Sequence, residues 1–196
     1  MSNLEIPLFP LHTVLFPDGS LPLRVFEPRY IDMISSCLRN NTSFGICLIR
    51  EGQEIGEAAN THEMGTIANI YDWNMRADGL LGISVRGERR FRILSEEIKQ
   101  NQLLVANVEI LPEEPQCSVP EDQHVLVDIL HDMIEQMESK FKESPVHYSD
   151  ATWVGFRLAE LLPLKLSQKQ YFLQLNDPQL RLERLADVLE TLQLQT

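Results

Sequence analysis

The residues closest in pattern to a catalytic site are Gly82-Ile83-Ser84-Val85-Arg86-Gly87, which look like the turn that carries a nucleophilic serine. That turn needs a glycine two residues before and two residues after the serine, and it must lead from a strand into a helix. Here the second glycine comes one residue late, and the sequence continues as a strand. The chain also contains no Gly-Lys pair and therefore no phosphate-binding loop. No serine lies in the glycine-lined context of a Ser-Lys dyad, so the sequence predicts a protein that is not an enzyme.

The five histidines and three cysteines show no metal-ligand spacing. His62-Glu63 starts like a zinc-protease motif, but Thr66 stands where the second histidine belongs. His124 and His131 are separated by about two helical turns, which is too far for one ion. The cysteines form no C-x-x-C pair. We therefore predict no metal site and no cofactor.

Four arginines, Arg86, Arg89, Arg90 and Arg92, form the densest basic cluster of the chain. One interpretation is a patch that binds an anion or RNA, since small β-barrels of the kind predicted below can bind RNA. Strand alternation would place Arg90 and Arg92 on one face. The other interpretation is a solvated strand face whose arginines pair with neighbouring glutamates. The net charge of −12 repels phosphate backbones and favours the second interpretation.

The first part of the chain has the pattern of short strands separated by turns. Prolines recur between residues 6 and 30, where they exclude helix interiors and the middle of central strands. Asp18-Gly19 predicts a turn between two short strands, and Pro28 suits the first turn of a helix. About seven strands are expected in residues 1–112, the pair at 80–85 and 90–98 being joined by residues 86–89. This pattern favours a small β-barrel with one inserted helix.

The rest of the chain has a helical pattern that follows a proline-containing linker at 113–120. Asp177-Pro178 is typical of a helix start, with the aspartate as N-cap and the proline at the first helical position. Residues 120–196 therefore predict a helical bundle. The apolar stripe of its first helix is formed by Leu126, Leu130, Met133, Met137 and Phe141.

Seven sequence blocks carry a family resemblance. They are PLFPL (7–11), VLFP (14–17), LPL (21–23), FEPRY (26–30), FGI (44–46), MGTIA (64–68) and VRGERRFRI (85–93). In this order they resemble the Lon protease N-terminal (substrate-binding) domain family over nearly the whole chain. The resemblance implies an α+β fold, with a PUA-like β-barrel at 1–112 and a C-terminal α-helical bundle at 120–196, which together make one such domain. It implies structural roles for Pro10, Pro17, Phe26, Glu27, Pro28, Arg29, Gly65, Gly87, Arg90 and Phe91.

The same resemblance implies a non-catalytic, polypeptide-binding module that recognises a client or partner in protein quality control. The expected partner is an unfolded polypeptide or one folded protein. The alternative is a PUA-like RNA-binding protein that uses the Arg86–Arg92 cluster, although nucleic acid is the less favoured partner. The oligomeric state is left open.

Aromatic residues at the rim of the barrel are the candidate peptide contacts, because exposed apolar patches mark binding sites. Trp73 and Tyr71 are the first choices, and Phe16 and Tyr30 follow. No stretch approaches the ~20 apolar residues that cross a bilayer. The first residues, MSNLEIPLFP, lack the basic residues and cleavage site of a signal peptide. We therefore expect a cytoplasmic protein that does not bind membranes.

Overall fold

The chain has a mixed α+β fold, and the computed structural model describes residues 3–137 and 145–193. It divides into two compact units, residues 1–112 and 113–196. The first unit contains β1 (Asn3–Leu11), β2 (Ser20–Val25), α1 (Pro28–Asn40), β3 (Phe44–Glu51), β4 (Asn60–Met75), β5 (Leu81–Ile98) and β6 (Leu104–Ile110). No helix in the described residues has the length and apolar content to cross a membrane.

The strands of the first unit form one sheet in the order β2-β5-β4-β3-β1-β6. A further pairing between β5 and β6 closes this sheet on itself. Closure is possible because β5 is long: its first half pairs with β2 and its second half with β6. Two core clusters fill the unit, and the larger one includes the buried face of α1. The inserted helix begins at Pro28, as the sequence predicted.

The sheet has six strands, so the expected number of about seven was too high. Residues 86–89 do not interrupt β5, because Gly87 lets the strand pass directly against the backbone of Phe16. The predicted turn at Asp18-Gly19 lies between the first two strands, although β1 and β2 do not pair with each other. Asp18 has φ 60°, and the Gly19 amide closes the turn by donating to the Phe16 carbonyl at 3.0 Å. The Asp18 amide also donates to the Gly87 carbonyl at 2.9 Å, which fixes the turn against β5.

Two prolines lie inside β1, contrary to the expectation that they would stay out of central strands. The reason is that β1 changes partner along its length. Its first part, up to Pro7, pairs with β6, and its second part, from Leu8, pairs with β3. Each part pairs with one strand among those described, so its other edge does not need the backbone donor that Pro7 or Pro10 lacks. Pro22 is tolerated for the same reason, since β2 pairs with β5 alone among the described strands.

The second unit contains α2 (His124–Gln136), α3 (Ala151–Leu161), α4 (Leu166–Gln174) and α5 (Pro178–Gln193). Asp177 caps α5 as predicted, because its carboxylate accepts from the amides of Gln179 and Leu180 at 2.9 and 3.1 Å. Of the predicted stripe on α2, Leu126 and Leu130 are buried, whereas Phe141 lies outside the described residues.

A buried ion pair organises the second unit. Arg181 is fully buried, and it donates to both carboxylate oxygens of Glu114 at 2.9 and 2.6 Å. Its Nε donates to the Phe172 carbonyl at 3.2 Å, and its guanidinium lies 3.8 Å from the Phe156 ring centre. These contacts compensate the desolvation of the arginine and connect α3, α4 and α5 to the segment that precedes α2.

Candidate polypeptide-binding surface

The two halves of β4 have different surroundings. From Asn60 to Ala68 the strand is covered by β3, with the last pair joining Ala68 to Phe44, and from Met64 onward it also pairs with β5. From Asn69 to Met75 it pairs with β5 alone among the described strands. The cause is the entry into β3, which the chain reaches from the left-handed C-cap of α1 at Asn41. The second half of β4, residues 69–75, is therefore a sheet edge, and we call it the β4 edge.

Three apolar side chains are exposed on the β4 edge. Tyr71, Trp73 and Met75 are 56%, 58% and 68% exposed. They alternate with the polar residues Asp72 and Asn74, which are also exposed. Trp73 and Met75, the cross-strand partners of Ile83 and Leu81, share one face and form an exposed apolar patch of the kind that binds other molecules. The sequence contained this signal, although Met75 was not recognised as part of it.

The two predicted aromatic contacts lie on opposite faces of the sheet. Trp73 is the cross-strand partner of Ile83, and such partners share a face. Tyr71 sits at a bulge between Ile70 and Asp72. Its hydroxyl hydrogen-bonds the Ser20 hydroxyl at 2.6 Å, and the Arg86 guanidinium lies 5.5 Å from its ring centre. The bulge thus turns Tyr71 to the face of Arg86, away from that of Ile83.

The other two predicted contacts, Phe16 and Tyr30, are buried, so the prediction that they contact a peptide is wrong. Phe16 is inaccessible to solvent, and Tyr30 is 5% exposed. The Tyr30 ring stacks on Phe9 with ring centres 4.1 Å apart. Burial raises the pKa of Tyr30 to about 12, with Arg29 acting in the opposite direction. The proline-rich segment and α1 fold these rings into the core, so neither has surface to offer a peptide.

The arginine cluster is divided by the sheet. Arg86, Arg89 and Arg92 are exposed, but Arg90 is buried, so the prediction that Arg90 and Arg92 share a solvated face is wrong. Arg90 and Arg92 do share a face, since they pair with Thr66 and Met64 in unbroken register, but Thr66, the partner of Arg90, lies in the core. Of the neighbouring glutamates, Glu88 hydrogen-bonds Asn69 and Glu97 hydrogen-bonds Lys99.

The motif Glu27-Pro28-Arg29 forms a polar joint at the start of α1. Arg29 is buried and donates to the Gln102 carbonyl at 2.8 Å. The Arg29 Nη2 lies 3.2 Å from the Glu27 Oε2. The same carboxylate oxygen accepts from the Gly56 amide at 3.4 Å. The motif therefore connects the helix start to two loops of the first unit. Phe26, the preceding motif residue, is half exposed.

The remaining motif residues lie where the backbone is crowded. A Cβ on Gly65 would meet the Cys47 sulfur at 2.6 Å, the Phe91 ring at 2.7 Å and the Ile46 carbonyl. A Cβ on Gly87 would meet the Phe16 carbonyl. Pro10 and Phe91 are buried, and Pro17 is half-buried. These positions agree with architectural roles, which stay predictions for the individual residues.

The residues singled out in the sequence as possible catalytic groups do not lie in a catalytic arrangement. Ser84 lies within the continuous strand β5 and not at a strand-to-helix turn. Cys37 and Cys47 are buried, and burial raises the pKa of both thiols. On α2, His131 lies near Asp132 and Glu135, but all three are exposed, and such groups are common without an ion.

A family model described as the ATP-dependent protease La (LON) substrate-binding domain matches residues 5–191. The chain belongs to this family, which confirms the resemblance seen in the sequence blocks. Lon protease 1 of Bdellovibrio bacteriovorus is 25% identical over 203 residues, covering 97% of this chain and 25% of the relative. Protein cereblon of Xenopus tropicalis is 26% identical over 113 residues, covering 56% of this chain and 24% of the relative. The chain spans about a quarter of the length of the curated Lon proteases that it matches over nearly all of its own residues.

Solved structures show the same relationship. The crystal structure of a Lon N-terminal domain protein from Xanthomonas campestris matches with a TM-score of 0.80 and 36% identity, covering 94% of this chain and 98% of that one. The N-terminal domain of Mycobacterium avium complex Lon protease matches with a TM-score of 0.63 and 19% identity, covering 93% and 96%. The second match shows likeness of fold alone. The described fold is thus that of Lon N-terminal domains, mixed α and β.

Proposed function

We propose that this protein is a non-catalytic polypeptide-binding module that recognises a client or partner in protein quality control, with Trp73 as its main contact. The observation that carries the proposal is the exposure of Tyr71, Trp73 and Met75 on the β4 edge. Membership of a substrate-binding domain family supports it. Tyr71 contributes from the opposite face, where its ring is already held by Ser20 and Arg86.

The finer description of the fold belongs to the same proposal. The closed sheet of residues 1–112 supports a PUA-like barrel, and the helices of the second unit support a C-terminal bundle. The cytoplasmic location stays a prediction from the sequence. We expect the purified protein neither to hydrolyse ATP nor to cleave casein, since the sequence contains no phosphate loop. Turnover that persists through stringent purification would contradict the non-catalytic role.

The test is a titration of labelled casein, an unfolded polypeptide, with the protein, followed by fluorescence anisotropy. We expect micromolar binding, because ordering a flexible chain offsets several kcal/mol of interaction energy. Trp73→Ala should weaken binding by roughly thirtyfold, since truncation of a dominant interface tryptophan costs about 2 kcal/mol or more. Casein that stays unbound at high micromolar protein would overturn the proposed function.

The matched control is Leu94→Ala, which removes another exposed apolar side chain from the same sheet. This variant should bind casein like the wild type. If Trp73→Ala also binds normally and both variants melt normally, the contact residue is wrong while the binding function stands. If both variants lose binding, the apolar surface is not specific to the β4 edge.

RNA binding through the Arg86–Arg92 cluster is the weaker candidate, because Arg90 is buried and the three other arginines share the surface with an excess of acidic groups. We expect no complex with a single-stranded RNA at micromolar protein and ~150 mM salt. A complex that forms there and is lost in both Arg86→Glu and Arg89→Glu would establish RNA binding in place of this expectation.

A further inference from the structure

We infer that Met75 is an oxidation site through which hydrogen peroxide controls polypeptide binding at the β4 edge. The thioether of Met75 takes up one oxygen from the peroxide, and the resulting sulfoxide weakens the binding of an unfolded polypeptide. This inference rests on the proposed function, because it names how the same surface is regulated. It does not depend on which polypeptide covers that surface, since the oxidation occurs on the free protein.

Met75 differs from the other described methionines in its access to solvent. It is 68% exposed, whereas Met33 and Met64 are buried in the core of the first unit. Met133, within α2, and Met137, which follows that helix, are half-buried. Peroxide must reach the sulfur atom, so an exposed methionine is oxidised before a buried one. Among the described residues, Met75 is therefore the first methionine that peroxide should modify.

The backbone around Met75 is equally open. Every residue from 71 to 79 is exposed. Met75 forms the last pair of β4, with Leu81, and the turn that follows is closed by the Gly79 amide, which donates to the Arg76 carbonyl at 3.0 Å. Gly79 has φ 78°, and a Cβ at this position would have no atom within 4 Å. The end of this hairpin thus presents the sulfur both to peroxide and to a methionine sulfoxide reductase.

The reaction needs no reagent other than hydrogen peroxide. A lone pair of the Met75 sulfur attacks one peroxide oxygen, so that an S–O bond forms and the O–O bond breaks. The leaving hydroxide takes the proton from the transferred oxygen, and the products are the sulfoxide and water. The sulfur loses two electrons and the peroxide gains them. An apolar side chain thereby becomes polar and chiral.

The new oxygen would lie inside the proposed contact surface. Met75 and Trp73 share a face of β4, and the pairing with β5 holds Met75 in its place beside the tryptophan. A polypeptide bound there must remove water from the sulfoxide oxygen or give up contact with this part of the patch, and burial of an unpaired polar group is unfavourable. Leucine would fill the same position without this sensitivity, so the thioether makes the patch responsive to peroxide.

The test compares the protein before and after treatment with dilute hydrogen peroxide, which is removed by desalting before labelled casein is added. Mass spectrometry of peptides should find one added oxygen on Met75 before any appears on Met33, Met64, Met133 or Met137. Casein binding should weaken by about three- to tenfold, the usual effect of losing one significant interface contact. Thermal melting should stay unchanged, because Met75 lies outside the core.

Reduction identifies the oxidised group. Methionine sulfoxide reductase with dithiothreitol should restore casein binding, since the reductase returns the sulfoxide to the thioether. Dithiothreitol alone reverses disulfides and sulfenic acids of cysteine and should not restore it. Recovery with dithiothreitol alone would assign the effect to a cysteine and would overturn the inference.

Three variants complete the test. Met75→Leu should bind casein like the untreated wild type and keep that affinity after peroxide treatment. Met75→Gln, which is polar without oxidation, should bind as weakly as the oxidised wild type. Met133→Leu is the matched control, because it removes a half-buried methionine from the second unit and should remain as sensitive to peroxide as the wild type. Equal loss of affinity in oxidised Met75→Leu and oxidised wild type would overturn the inference.

The outcomes separate the two proposals. If casein binds and complete oxidation of Met75 leaves the affinity unchanged, the control by peroxide is overturned and the proposed function stands. If another methionine takes up oxygen first, the oxidation site is wrong whatever casein does. If the untreated protein does not bind casein, the proposed function fails, and the control of binding fails with it.

Discussion

The covered and uncovered halves of β4 belong to one strand and share one partner, β5, yet they differ in almost every other respect. In residues 64–68 every side chain is buried, and β3 supplies the second row of hydrogen bonds. In residues 71–75 every side chain is exposed. Both halves contain large apolar residues, so composition does not separate them. The presence of a second neighbouring strand separates the two halves, because it decides whether an apolar side chain is buried in the core or lies at the surface.

The largest expected effect comes from Gly65→Ala in the covered half. The added methyl group would lie 2.6 Å from the Cys47 sulfur and 2.7 Å from the Phe91 ring, in a fully packed core. We expect the free energy of unfolding to fall by about 1–3 kcal/mol or more, the usual result of overpacking. Chemical denaturation of the wild type and the variant measures the difference.

Gly82→Ala is the matched control for that change, because Gly82 pairs with Asn74 in the uncovered half. Its new methyl group would meet the Asn74 Oδ1 at 2.9 Å and the Arg76 side chain at 3.2 Å, both of which can move into solvent. The loss of stability should therefore be much smaller. Equal losses at Gly65 and Gly82 would contradict the difference between the two halves.

The second effect concerns Thr66, whose buried hydroxyl donates to the Leu15 carbonyl at 2.6 Å. Thr66→Val removes the donor and keeps the shape, leaving a buried carbonyl without that bond. The free energy of unfolding should fall by about 1–3 kcal/mol. Thr66→Ser keeps the hydroxyl and should be clearly more stable than the valine variant in the same denaturation experiment. The opposite order would show that the methyl group matters more than the hydrogen bond.

A smaller effect is the pH dependence due to His62 in the covered half. Burial, with a contribution from Arg50, lowers the pKa of His62 below its ordinary value of 6.5. The unfolded chain therefore binds a proton first, so this group lowers stability as the pH falls through about 6.5. Denaturation midpoints between pH 8 and about 5.5 should decline less in His62→Gln than in the wild type. Parallel curves would show that His62 does not contribute.

The smallest effect on stability is expected for Trp73→Ala in the uncovered half. Because the side chain is 58% exposed, the free energy of unfolding should change by no more than about 0.5 kcal/mol. Thermal melting of the variant, measured beside its loss of casein binding, tests this directly. A stability loss comparable to that of Gly65→Ala would mean that Trp73 belongs to the core and does not form a binding surface.

Local sequence signals predicted the parts of the fold that depend on local chemistry. Pro28 begins α1 and Asp177 caps α5, since both effects act within one helical turn. The ordered motif blocks gave the family, which the matching family model confirms. The exposure of Trp73 and Tyr71 agrees with the residues chosen as contacts, whereas Phe16 and Tyr30 had the same residue type and the opposite burial.

Long-range pairing decided the rest. Arg90 is buried although it shares a strand face with the exposed Arg92, because its cross-strand partner Thr66 lies in the core. Whether Pro7 and Pro10 can lie inside β1 depends on the change of partner from β6 to β3. Likewise, residues 69–75 became an edge because the chain enters β3 at Phe44, and no property of their own sequence determines this. The sequence alone determined the local turns, the helix starts and the family, because those depend on neighbouring residues. The tertiary structure alone determined which apolar residues remain at the surface, because that depends on which strands meet.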